Sequence, residues 1–286
     1  MRVKLHSTFR LISKAFAKLA EHVLFKRSRL ISVGECRSLY ELPSKKLMLL
    51  NKSGYIDNQI IQRGVFEPKS TALVNQFVKE GDIVIDVGAN IGYYTIICSE
   101  LVGFNGHVYA FEPTQHFGQV LNENLSLNKI SNVSVCDYGL SNEAANVTID
   151  IGPSSATMHS PQGYDEVVKK EQIRLITFNE FIKNSNLDRV DFIKIDVDGH
   201  EPYFFDGAWD VLDTFDVTIL FEISHLHYLE AGVFAWDFYE KVVSRGYNIF
   251  HEDGLKKIKT RNEFLRNCAD FSSSCNIMIT KREELV

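Results

Sequence analysis

Asp86, Gly88, Asn90 and Gly92 share one loop, Asp86-Val87-Gly88-Ala89-Asn90-Ile91-Gly92, at the end of the apolar run 83–87. Gly88 permits a tight turn and a close approach of backbone to a ligand, and Gly92 lets the next helix pack against the strand. Glu112 ends the following apolar run, about twenty residues beyond Gly92, where a carboxylate can accept the hydroxyls of a ribose. The loop is not GxGxxG, because Asn90 holds its second small position. Asp86 would repel a pyrophosphate but can meet a cationic amino-acid group. Both details turn the site away from a nicotinamide dinucleotide and toward S-adenosylmethionine. Asp137 closes the third apolar run and can either accept an adenine amino group or form a turn.

A second set of reactive groups lies in Val190-Asp191-Phe192-Ile193-Lys194-Ile195-Asp196-Val197-Asp198-Gly199-His200-Glu201. On a strand, Lys194, Asp196 and Asp198 share one face. A buried strand seldom carries three charges on one side, so they must pair or face a polar cleft. Glu222 interrupts the next apolar run and is a natural partner for Lys194. His200 beside Asp196 or Asp198 has the chemistry of a general base, although a histidine beside a strand also serves structure alone. Asp196, Asp198 and Glu222 are candidate ligands for Mg²⁺, which prefers oxygen; dependence on a metal is left open and not favoured.

Around these residues the chain alternates short apolar runs with helical patterns: strands at 83–87, 107–111, 133–137, 190–197, 217–223, 247–250 and 275–280, helices at 70–78, 91–102, 114–128, 202–212 and 236–245. Extra strands are expected at 147–151 and 173–176, with a short helix at 178–183. The pattern predicts an α/β, Rossmann-like domain over 70–286, with a central, mostly parallel seven-stranded sheet and helices on both faces. Right-handed crossovers then collect the strand C-termini, and the candidate residues, along one edge. Residues 32–69 read as a small β-rich region, with strands at 46–50 and 55–61 around Lys52-Ser53-Gly54. Loop 154–159, of small polar residues, can be a lid over the ligand or an ordinary surface loop.

Residues 1–31 predict a helical extension. Leu5, Phe9, Ile12, Phe16, Leu19 and Val23 fall on one helical face. Eight basic residues stand against Glu21 alone, +7, which leaves −13 for the rest of a chain whose net charge is −6. The segment suits packing on its own domain, self-association, or an anionic membrane surface. Lys14 and Lys18 interrupt it as a secretory signal, and there is no apolar run of membrane-spanning length. The acidic body offers no basic stripe for nucleic acid. Five scattered cysteines without a CxxC pair suit a reducing, cytoplasmic setting, peripheral to a membrane if the helix binds one.

Together these pieces resemble the FkbM family of methyltransferases. The matching segments are Phe66-Glu67-Pro68, GDIVIDVGANIGYYT from Gly81 to Thr95, Ala110-Phe111-Glu112-Pro113, Asn124-Leu125-Ser126-Leu127-Asn128, Gly139-Leu140-Ser141, Leu175-Ile176-Thr177-Phe178, FIKIDVDGHE from Phe192 to Glu201, and Leu220-Phe221-Glu222. The resemblance implies a class I fold and methyl transfer from S-adenosylmethionine, usually to a hydroxyl oxygen of a sugar, glycan or natural product. Carried over by position, Glu67, Asp86, Gly88, Asn90, Gly92, Thr95, Glu112 and Asp137 line the cofactor. Lys194, Asp196, Asp198, His200, Glu201 and Glu222 line the acceptor side, with Asp196 positioning or deprotonating the acceptor and Lys194 balancing its charge. The family often has Glu where Asp198 stands; the shorter side chain keeps the charge. Two other readings compete. A nicotinamide oxidoreductase would need the missing GxGxxG. A non-catalytic methyltransferase-like module would not need the charged cluster at 194–201.

Overall fold

In the computed structural model, described for residues 26–152, 155–157, 169–268 and 274–285, the chain divides into two units, Met1–Glu67 and Pro68–Val286. The basic segment expected over 1–31 lies mostly outside the described residues. Its end is not helical: β1 (Arg29–Ser32) pairs antiparallel with β2 (Ser38–Glu41), which pairs with β3 (Leu47–Leu50). Arg29 also bridges to Glu41 at 2.8 Å. Met48 and Leu50 fill this small unit. Residues 55–61, read as a strand, instead begin helix α1 (Tyr55–Arg63). The Asp57 carboxylate accepts the Asn51 amide at 2.6 Å, and Gly64 ends the helix in the left-handed region that suits glycine.

The second unit runs α2 (Pro68–Phe77), β4 (Ile83–Val87), α3 (Tyr93–Val102), β5 (His107–Phe111), α4 (Gln115–Leu127), β6 (Val133–Cys136), β7 (Gly139–Ser141), β8 (Ala145–Ile151), β9 (Ala156–Thr157), β10 (Lys169–Thr177) and α5 (Phe178–Ser185). It continues with β11 (Phe192–Ile195), α6 (Glu201–Asp206), α7 (Trp209–Leu212), β12 (Thr218–Ile223), α8 (His225–Glu230), α9 (Ala235–Ser244), β13 (Asn248–His251), β14 (Lys256–Ile258), α10 (Arg261–Cys268) and β15 (Cys275–Thr280). The main sheet has eight strands in the order β14-β13-β15-β12-β11-β4-β5-β6, one more than expected, because short β14 adds an antiparallel edge to β13. Strands β12, β11, β4, β5 and β6 are parallel. They are continuous apolar runs because helices cover both faces, and β4 and β11 are almost wholly buried. Among the described residues, no helix is long and apolar enough to cross a membrane.

The chain passes from β4 outward to β5 and β6, then returns to place β11 on the other side of β4. This reversal between β4 and β11 is the switch point at which open α/β sheets bind ligands. The extra strands form a separate four-stranded sheet, β7-β10-β8-β9, with a small apolar cluster of Ile149, Ile173 and Leu175. The main core lies beneath β11 and β12, where Phe204, Phe205, Phe221 and Phe238 pack edge to face or tilted.

Candidate active site

The two loops that leave the switch point touch each other. Gly88 follows β4 with φ of 83°, and a Cβ there would overlap the carbonyl oxygen of Asp196, just past β11. Glycine is therefore required twice, by conformation and by approach. Asn90 is also left-handed, with φ of 51°, a conformation asparagine tolerates. Its side chain accepts the Ile91 amide at 2.8 Å, and Asn124 of α4 donates to the Ile91 carbonyl at 2.8 Å. Gly92 meets Leu121 of α4, not the strand that the sequence suggested.

Asp86 is buried at the end of β4 and accepts the Thr95 hydroxyl at 2.5 Å. Burial lifts its pKa to about 6; the Thr95 bond and the Lys194 charge pull the other way. Thr95 is fully buried, so it supports Asp86 from behind. Glu112 closes β5. Its Oε1 accepts the Thr114 amide at 3.0 Å and the Thr114 hydroxyl at 2.7 Å, while Oε2 accepts the Asn90 amide at 2.9 Å. Burial raises this carboxyl above its ordinary value, and those bonds moderate the rise. With one bond on Oε2, that oxygen retains capacity for a ligand hydroxyl.

Gly88, Asn90, Glu112, Asp196, Asp198 and His200 line one cleft, closed opposite by Ile149, Leu175 and Ala156 of the small sheet. One wall is polar and one apolar, as a nucleoside requires. Asp137 is exposed and does not line the cleft. Glu67 is the last residue of the first unit, left-handed with φ of 40°. Of loop 154–159, positions 155–157 are described; Ser155 bonds to Asp198 and Ala156 faces the cleft.

Strand β11 stops at Ile195, so the alternation argument applies to Lys194 only. Asp196 and Asp198 stand on the loop beyond it, turned by left-handed Asp198 and Gly199. Lys194 is fully buried, and its ammonium lies 3.3 Å from Asp196 Oδ2, 3.2 Å from the Ile195 carbonyl and 5.2 Å above the Tyr94 ring. Asp196 is thus an ion-pair partner of this lysine. Burial lifts Asp198 to about 7 and Glu201 to about 8, and neighbouring carboxylates add to both shifts. Glu222 is held well above the usual carboxylate range by burial and by the Asp196 charge. His200 is buried, shares a hydrogen bond of 2.9 Å with Ser141 Oγ through Nε2, and stacks on Tyr203. His225 and His227 belong to α8, and a Cβ on Gly199 would collide with His227.

Tyr94, Thr114, Asn124, Ser141 and the apolar wall were not singled out individually from the sequence. The alternating apolar residues of β8 and β10 were the signal for the wall.

A doubly wound sheet with a half-polar cleft at its switch point defines the Rossmann-like α/β class. Within that class, the FkbM methyltransferase domain model matches residues 86–260, and the chain belongs to this family. The hexuronic acid methyltransferase AglP of Haloferax volcanii is 28% identical over 150 residues, 52% of this chain and 59% of that protein. A protein-L-isoaspartate O-methyltransferase of Methanothrix thermoacetophila is 31% identical over 101 residues, 34% of this chain and 45% of that protein. Both matches thus span less than two thirds of the relative. An S-adenosylmethionine-dependent O-methyltransferase of Thermotoga maritima superposes with a TM-score of 0.44 at 16% identity, covering 88% of this chain and 97% of that one.

Proposed function

We propose that the chain transfers a methyl group from S-adenosylmethionine to a hydroxyl oxygen of a sugar, glycan or natural-product acceptor. The observation that carries this reading is the pair of buried carboxylates, Asp86 and Glu112, on either side of a loop that only glycine can bring so close to Asp196. The groups fit the cofactor: Glu112 Oε2 can accept a ribose hydroxyl, the apolar wall can cover a purine, and Asp86, buried just beneath the cleft, can act on an ammonium through its charge. When bound, S-adenosylmethionine supplies a methyl group already activated on a sulfonium.

The protein's part is then alignment and proton handling. Asp196 would orient the acceptor hydroxyl and take its proton as the oxygen–carbon bond forms and the methyl carbon–sulfur bond breaks, the thioether leaving as S-adenosylhomocysteine. Lys194 holds that carboxylate in place from the buried side. His200 shares its Nε2 with Ser141, which favours a role in shaping the loop over one as base. The likeness to a hexuronic acid methyltransferase supports a sugar-type acceptor. Glu67 and Asp137 remain proposals as cofactor residues, and residues 1–31 as a contact to a membrane surface or a second copy.

Calorimetric titration with S-adenosylmethionine and with NAD separates the readings. Saturable binding of the first alone is expected. Failure to bind it at millimolar concentration would remove the proposal, as would preference for NAD. Asp196→Asn should retain cofactor affinity within roughly threefold and lose methyl transfer to glycan acceptors, roughly 10²-fold or more; retained turnover would clear Asp196 of its role.

A further inference from the structure

Four carboxylates, Asp196, Asp198, Glu201 and Glu222, meet at the acceptor edge, and Lys194 pairs with Asp196 there. One ammonium cannot balance four carboxylates. The nearest oxygens of Asp196, Asp198 and Glu222 all lie within 4.8 Å of one another. Two oxygens bound to one hard cation stand at most roughly 4–5 Å apart, since each bond is about 2.0–2.6 Å long. All three are therefore within reach of one ion.

Glu201 supplies an independent observation. It is 1% exposed, and its Oε1 accepts the Val197 amide at 3.0 Å. Its Oε2 is buried and has no hydrogen-bond partner among the described residues. A buried carboxylate oxygen without a donor is costly and calls for a cation or a proton. This carboxylate lies beside the same cluster, because its Oε1 holds the amide of Val197, the residue between Asp196 and Asp198. The donor set is all oxygen, since the His200 Nε2 is shared with Ser141. Such a set suits Mg²⁺, Mn²⁺ or Ca²⁺ and not a thiophilic ion.

We infer that Asp196, Asp198 and Glu222 hold one divalent cation at the acceptor edge of the cleft, with Glu201 contributing charge from behind. Asp196 and Asp198 both line the cleft, so the ion is reachable from it. A six-coordinate ion with three protein ligands keeps further positions for water or for acceptor oxygens. That last role, recruiting an acceptor hydroxyl, rests on the methyltransferase reading; the binding of the ion does not.

The test uses the full chain, stripped with a chelator and titrated with Mn²⁺ at pH 8, following the free-ion electron paramagnetic resonance signal. One ion per chain is expected, with Glu222→Gln and Asp198→Asn each weakening it by roughly tenfold or more. Calorimetry with S-adenosylmethionine on the same samples shows whether each variant is folded and whether the cofactor reading stands on its own. Should a variant not fold, anomalous diffraction at the manganese edge from wild-type crystals replaces it, with a peak expected among the three carboxylates. No binding by wild type up to about 5 mM, undiminished binding by folded variants, or a peak elsewhere would overturn the inference. Cofactor binding without Mn²⁺ binding would sink the cation alone; Mn²⁺ binding without cofactor binding would sink the methyltransferase reading alone.

Discussion

Gly88→Ala and Gly81→Ala form a matched pair. Both glycines are left-handed, with φ of 83° and 86°. At Gly81 a Cβ would meet nothing within 4 Å. At Gly88 it would overlap the Asp196 carbonyl oxygen and touch Val197 Cγ1 at 3.1 Å. Each alanine costs about 1–2 kcal/mol for its backbone conformation. Gly88→Ala must also push the two loops apart. Asp196 cannot yield easily, because its own amide donates to the Val87 carbonyl at 2.9 Å. Forced overpacking of this kind costs about 1–3 kcal/mol more. Taking about 2 kcal/mol, Gly88→Ala should melt about 4–8 °C below Gly81→Ala in a unit of this size. Differential scanning calorimetry reads this directly. Calorimetric titration should show Gly81→Ala binding S-adenosylmethionine as wild type does, while Gly88→Ala binds at least tenfold more weakly, a loss of about 1.4 kcal/mol. Equal melting temperatures for the two variants would refute the view that contact with Asp196 demands glycine at position 88.

Other expectations concern charge. Glu112→Gln removes the anion that accepts from Asn90 and Thr114, and should weaken cofactor binding by roughly 10–100-fold, since bonds to charged groups contribute about 1.5–3 kcal/mol; calorimetry showing less than a twofold change would contradict it. Asp198 and Glu201 ionise near 4 when unfolded but near 7 and 8 when folded. The unfolded chain therefore loses these protons first, and stability should fall as pH rises from about 4 to about 8. The clearest window is about pH 7 to 8.5, above the ordinary histidine pKa of about 6.5 and up to that of cysteine. Denaturant unfolding of the ligand-free chain that shows rising stability across that window would count against these shifts. Asp86, with a pKa of about 6, is about half protonated at pH 6. Binding a cationic cofactor there should release up to about half a proton from this group. Titration in buffers of different ionisation enthalpy measures the release, and Asp86→Asn should lower it; an unchanged value in the variant would assign the proton elsewhere.

The donor side was largely legible because its information is local. A run of apolar residues, an acidic residue at its end and a left-handed glycine turn are all written within 83–92, and Glu112 stands one strand away. The acceptor side was legible as composition but not as geometry. Alternation placed Lys194, Asp196 and Asp198 on one face, yet the strand ends at Ile195 and the two aspartates sit on a turn made by Asp198 and Gly199. A non-glycine residue with positive φ carries little warning in sequence. The 55–61 segment misread as a strand has β-branched isoleucines but is capped by Gly64 as a helix. The apolar wall was legible only as alternation along each strand: that β8 pairs with β10, and so brings Ile149 and Leu175 into one cluster, is a long-range contact.

Asp86, Asp198, Glu201 and Glu222 are all held above their ordinary values by burial, and the cause is topological. A parallel sheet delivers every strand C-terminus to one edge, so an acidic residue after each of several strands becomes an acidic cluster. Salt bridges could have neutralised it, but the structure supplies Lys194 to Asp196 and leaves Glu201 Oε2 without a donor among the described residues. Such an edge is a poor choice for stability alone, since uncompensated buried charge is among the most destabilising features a core can carry. It is a reasonable one for a site whose ligands bring positive charge with them. The cationic cofactor would meet Asp86, and the divalent ion would meet the three converging carboxylates. On this view the raised carboxyl pKa values belong to the ligand-free protein, which keeps protons where the working protein keeps cations.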